Sequence, residues 1–147
     1  MAVSSPEEPE KEIASGPVNI KPALQFTLLC DDIRREDNGK FMFLGLFETI
    51  GGLRFPLKHP RLYVANRWCK GVGNFTEKIR LLQEETAAAI IQSQETSFEL
   101  KGIEHYHTSI NRFDGIVFPS AGKYFVEILL DNDLVISYPI ILTILKD

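Results

Sequence analysis

The chain has 147 residues, 44% of them hydrophobic and 24% charged, with a formal net charge of −4 at pH 7. That size and balance suit one domain with a core of its own and exclude a fibrous or wholly disordered chain. No stretch reaches the ~18 apolar residues of a membrane span, and Met1-Ala2-Val3-Ser4-Ser5-Pro6-Glu7 lacks the basic start and apolar run of an export signal.

The expected setting is therefore cytoplasmic. Cys30 and Cys69 lie far apart without metal-type spacing, so a reducing compartment leaves them as thiols, packed as small apolar residues within strands.

Residues 1–22 hold Ser4, Pro6, Glu7, Glu8, Pro9, Glu10, Glu12, Gly16, Pro17 and Pro22 among scattered aliphatics. Such a composition buries too little apolar surface to offset the entropy of ordering, so it is expected to be a disordered acidic tail before a domain at residues 23–147. The tail acts either as a solubilising leader or as a docking segment anchored by Ile13, Val18 and Ile20.

From Leu24 the pattern takes period two, with Leu24, Phe26, Leu28 and Cys30 on one face of a first strand. Asp31 to Lys40 then reads as a connection, with Asn38-Gly39 supplying positive φ angles. Residues 41–50 are apolar at nearly every position, which predicts a central strand covered on both faces, ended by Gly51-Gly52. Phe55-Pro56 and His59-Pro60 mark a loop. Residues 61–69 alternate, with Leu62, Val64 and Trp68 opposite Tyr63, Ala65 and Arg67, and Trp68 is expected to anchor the core.

After the turn Gly71-Val72-Gly73-Asn74, a strand at residues 75–83 turns Phe75, Ile79 and Leu81 inward and Thr76, Lys78 and Arg80 outward. Residues 77–94 carry helix-forming residues, but the flanking patterns favour a hairpin turning at Glu84-Glu85. Short strands follow near residues 97–100 and 106–113, and Gly115, Pro119 and Gly122 punctuate the chain before alternation returns at residues 123–130. The last pair spans residues 134–146, with Pro139 at a bulge or an edge because it cannot donate to a ladder.

Eight or nine short strands with frequent turns and no crossover helix predict an all-β fold, an antiparallel sandwich with Greek-key connections. The run Phe118-Pro119-Ser120-Ala121-Gly122-Lys123-Tyr124 suits the turn into a late strand of immunoglobulin-like domains, where Tyr124 would bond back to the backbone. Residues 34–80 carry ten Lys or Arg against four acids, and residues 81–147 four against ten. The two excesses are expected to neutralise each other on neighbouring strands, so nucleic-acid binding is not expected.

The segment Cys30-Asp31-Asp32-Ile33-Arg34, with Gly39-Lys40, Gly45-Leu46-Phe47 and Phe55-Pro56, resembles an uncharacterised bacterial β-sandwich family in which a short strand ends in a similar cysteine, acid and arginine run. The likeness covers residues 24–70 and the late Gly-x-Tyr strand. It implies an immunoglobulin-like fold and carries no activity or catalytic residue with it.

His105 and His107 would share one strand face and offer two imidazoles to a metal, with no third ligand fixed by spacing. Asp32 and Arg34 are candidate polar contacts, a carboxylate held by a guanidinium, while Asp31 and Asp32 face opposite ways and are unsuited to paired acid and base catalysis. Neither cysteine has the signature of an activated nucleophile, and Lys70-Gly71-Val72-Gly73 lacks the following helix of a phosphate loop. The expected role is a noncatalytic interaction module without a cofactor, binding a protein through loops, a sheet edge or the tail. The alternatives are a metal- or small-ligand-dependent enzyme or binder, and a structural subunit of an assembly.

Overall fold

Strand β1 (Ala23–Arg35) runs on well past Cys30, because Asp32 and Ile33 through Arg35 pair in antiparallel register with Leu44 to Phe41 of β2 (Phe41–Leu46). Asp31 to Arg35 are thus strand, not turn. The chain reverses only at residues 36–40, where Gly39 alone takes positive φ, at 90°. The computed structural model describes residues 19–146, and the expected acidic tail lies outside the described residues as far as residue 18.

The remaining strands are β3 (Thr49–Gly52), β4 (Leu57–Cys69), β5 (Gly73–Gln83), β6 (Ala89–Gln92), β7 (Thr96–Leu100), β8 (Tyr106–Phe118), β9 (Gly122–Leu130) and β10 (Asp133–Ile144). They form a four-stranded sheet, β2-β1-β4-β8, and a six-stranded sheet, β3-β10-β9-β5-β6, with β7 also paired to β5. The β3–β10 pairing is parallel and the others are antiparallel. Among the described residues there is no helix, so residues 77–94 adopt the hairpin reading, turning just after Gln83.

Period-two alternation builds the core. Leu29, Leu62, Val64 and Trp68 from the first sheet meet Phe75, Ile79, Leu81, Val126, Ile128 and Ile140 from the second in one buried cluster. Each such side chain contributes roughly 1.5–3 kcal/mol through removal of apolar surface from water. Trp68 is the expected anchor, fully buried and stacked on Phe98 of β7 at 6.0 Å between ring centroids. The opposed charge excesses meet across strands, as in the 2.8 Å ion pair of Arg80 on β5 with Glu127 on β9.

Four local expectations are corrected. The register of β1 against β4 slips between Leu24 and Phe26, so Leu24 does not share a face with Phe26, and Leu29 enters the core in place of Leu28. Residues 41–50 are two strands, each at a sheet edge, and Met42, Leu44 and Leu46 are exposed. Their apolar character therefore does not come from cover on both faces. His59-Pro60 lies inside β4, where the register with β8 passes from His59 with Ile116 to Arg61 with Asp114 and leaves Pro60 opposite Gly115, which takes positive φ. Gly115 does not end a strand either, since it takes φ of 63° as an irregularity within β8.

Pro139 occupies the predicted open position. The Ile141 amide bonds outward to the Glu48 carbonyl beside β3, so Pro139, two residues earlier, turns its hydrogen-free nitrogen to the same side before β3 begins to pair.

Gly45 sets the geometry of the hairpin. It takes φ of 71°, and a Cβ there would fall on the Asp31 carboxylate across the pair. Gly45→Ala is expected to cost about 1–3 kcal/mol in a urea titration, from left-handed strain together with displacement of Asp31. Gly39→Ala, with φ of 90° and nothing within 4 Å of its Cβ, should cost less. An equal loss at both positions would remove the role given to Asp31.

Candidate functional site

The β1–β2 hairpin carries the first pair of predicted site residues. Asp32 is the register partner of Leu44 and Arg34 that of Met42, so these four side chains share one face. Arg34 Nε donates to Asp32 Oδ2 at 3.0 Å, and the Ile33 amide donates to Asp32 Oδ1 at 2.9 Å. The Arg34 guanidinium holds the Asp32 carboxyl below its usual range. Beside this pair stands an apolar row in which Met42, Leu44 and Leu46 are 39%, 38% and 60% exposed. It lies on a strand whose second edge has no partner among the described residues.

The opposite face of the hairpin bends back over the sheet. Phe43 is the partner of Ile33, seven residues along β1 from Phe26, and a straight strand would separate such positions by about 23 Å. Yet the Phe26 and Phe43 rings meet edge-on at 5.7 Å. β1 therefore curls, and the hairpin tip overhangs the row Phe26, Arg67 and Thr108 that crosses β1, β4 and β8. Between tip and sheet lies a cleft of about 470 Å³ walled by Phe26, Phe41 and Phe43, with Lys40 and Arg67 at its margin. Arg67 lies 4.5 Å above the Tyr106 ring, and its buried Nε has no hydrogen-bond partner among the described residues.

Asp31, facing away from Asp32, joins His59 between two shallow hollows, one reaching Arg61, Arg112 and Asp114 and the other Phe47 and Thr49. Burial pushes the His59 imidazole below its usual range, while hydrogen bonding to the Arg61 backbone and the nearby Asp31 charge act the other way.

The predicted histidine pair is placed differently on its two members. β8 begins at Tyr106, so His105 lies in the preceding turn and is exposed. His107 is half-buried between the sheets and stacks on Phe98 with centroids 4.4 Å apart and planes 2° from parallel. Burial pushes its imidazole below the usual range. Among the described residues no three His, Cys, Asp or Glu side chains group as metal ligands.

Beside His107 lies a cluster absent from the sequence-based expectations. Glu77 is only 2% exposed, and its Oε2 accepts from Asn66 Nδ2 at 2.6 Å and from Trp68 Nε1 at 3.0 Å. Period two does signal it, since Glu77 falls in phase with Phe75, Ile79 and Leu81, and Asn66 in phase with Leu62, Val64 and Trp68. Cys30 and Cys69 are both free and buried in strands, and burial pushes the Cys30 thiol up.

Fold and site together define an all-β domain of two packed sheets, with polar groups buried in its core and its richest surface chemistry on one overhanging hairpin. The chain belongs to DUF6941, a family of unknown function that its residues 25–143 match. That agrees with the likeness of residues 24–70 to a family without an assigned activity. No curated protein matches the chain. Among the described residues no helix is long and apolar enough to cross a membrane.

Proposed function

We propose that the chain is a noncatalytic interaction module of the bacterial cytoplasm that takes an extended segment of a partner protein along the open edge of β2. The observation that carries this reading is the exposed row Met42, Leu44 and Leu46 on an unpaired edge strand. An added strand would bond to the free backbone groups of β2, and its alternate apolar side chains would cover that row. Asp32 and Arg34, on the same face, supply one charge of each sign to fix direction and register. Buried free thiols support a reducing compartment.

The test is capture from native bacterial lysate with the full-length chain and its Leu44→Ser variant, followed by hydrogen exchange on the complex with the identified partner. Loss of one buried leucine contact, worth roughly 1.5–3 kcal/mol, should weaken that complex about 10- to 100-fold. The thermal midpoint should stay near that of the wild type, because Leu44 is exposed. Amides of β2 should gain protection when the partner binds. A partner held equally by both proteins, or no reproducible partner, overturns the reading.

A further inference from the structure

We propose that the cleft beneath the hairpin is a binding site for a small aromatic anion, a planar ring bearing a phosphate or carboxylate group. It goes beyond the partner-docking reading, because it uses the opposite face of the same hairpin. The cleft has a volume of about 470 Å³, and its lining combines the rings of Phe26, Phe41 and Phe43 with the cations Lys40 and Arg67. Pockets of this size hold single small molecules through apolar walls and a few fixed polar groups.

The charge is one-sided. Among the described residues no carboxylate lines the cleft, and neither Lys40 nor Arg67 forms an ion pair. The Arg67 Nε is buried without a hydrogen-bond acceptor, which leaves a guanidinium donor short of a partner where desolvation makes that costly. Tyr106 lies 4.5 Å from the guanidinium carbon and braces it while taking up none of its directed donors. The Nε is closed to solvent, so an anion in the cleft would meet the terminal nitrogens of the Arg67 guanidinium instead, and Lys40 approaches from the overhanging tip to share the charge.

Ring recognition falls to the phenylalanines. Phe41 and Phe43 stack at 6.2 Å, and Phe43 meets Phe26 edge-on at 5.7 Å, so the walls already adopt aromatic packing geometries that an added ring extends.

Titration of the full-length protein by isothermal calorimetry with phenyl phosphate, benzoate, inorganic phosphate and benzyl alcohol tests the site. At least one of the two aromatic anions should bind saturably, with a dissociation constant below about 1 mM, and the arm that binds identifies the acid group. Inorganic phosphate and benzyl alcohol, each lacking half of the recognised chemistry, should bind at least about tenfold more weakly. Arg67→Gln should weaken the aromatic anion about tenfold or more, and Lys40→Gln, at an exposed position that leaves folding intact, by several-fold. Failure of both aromatic anions to bind, equal binding of benzyl alcohol, or unchanged affinity in Lys40→Gln and in a folded Arg67→Gln overturns the proposal. None of these results bears on the β2 edge, whose test reads a protein complex.

Discussion

Glu77→Leu is expected to lower the free energy of unfolding by about 2–5 kcal/mol, because it strands two buried donors at roughly 1–3 kcal/mol each. Asn66 Nδ2 and Trp68 Nε1 both point at Glu77 Oε2. Trp68 cannot turn away to find water, since it is fully buried and stacked on Phe98. The readout is urea denaturation followed by the fluorescence of the single tryptophan and by circular dichroism. The transition midpoint should fall at unchanged slope. Glu77→Gln keeps an oxygen acceptor and should lose less. The double variant Asn66→Leu with Glu77→Leu should recover part of the loss, because removing both partners of a buried polar contact costs less than removing one. If Glu77→Leu is tolerated within about 0.5 kcal/mol, the cluster adds nothing to stability and its donors must find other acceptors.

Period-two alternation carries most of this fold, and it misleads where it is broken or crowded. In β9 the alternation of Tyr124, Val126 and Ile128 with Lys123, Phe125 and Glu127 marks both the strand and its inward face. In β1 the slip between Leu24 and Phe26 exchanges the faces, and no residue type at that point announces it. Residues 41–50 read as a covered strand because apolar residues on an edge look the same in sequence as apolar residues at a centre. Only the pairing shows that Phe41 and Phe43 turn under the hairpin while Met42 and Leu44 stay exposed.

Legibility of the candidate site follows the same division. The choice of Asp32 and Arg34 was available from their spacing of two, although residues 31–40 read in sequence as a connection and only the structure makes Asp32 and Arg34 part of β1, with the side chains 3.0 Å apart. The inward position of Glu77 was equally available from phase, although its charge argues for solvent until the two donors facing it are known. The meeting of Arg67 with Phe26, Phe43 and Lys40 was not available, since it depends on the curl of β1, which local sequence does not encode.

Tyr124→Ala is expected to cost about 3–5 kcal/mol, the usual range for emptying a buried aromatic site. Tyr124→Phe should cost about 1–3 kcal/mol, because it keeps the ring and removes only the hydroxyl. Tyr124 is fully buried, with its ring edge-on to Phe118 at 5.2 Å. Its hydroxyl donates to the Ser120 carbonyl at 2.6 Å and accepts from the Ser120 amide at 3.2 Å, the backward bond that the sequence leads one to expect. The bond clamps the turn between β8 and β9, and the turn is tied in its own right to the end of β5 through Gln83 Nε2 on Ser120 Oγ at 2.9 Å. Loss of the hydroxyl should therefore loosen the Ser120 amide more than the strands on either side. Hydrogen exchange on folded Tyr124→Phe separates this local effect from general destabilisation, because exchange at Ser120 should accelerate beyond what the global loss explains. Exchange at Ser120 that rises only in step with the β9 amides would mean that Gln83 alone holds the turn, and that Tyr124 contributes through its ring.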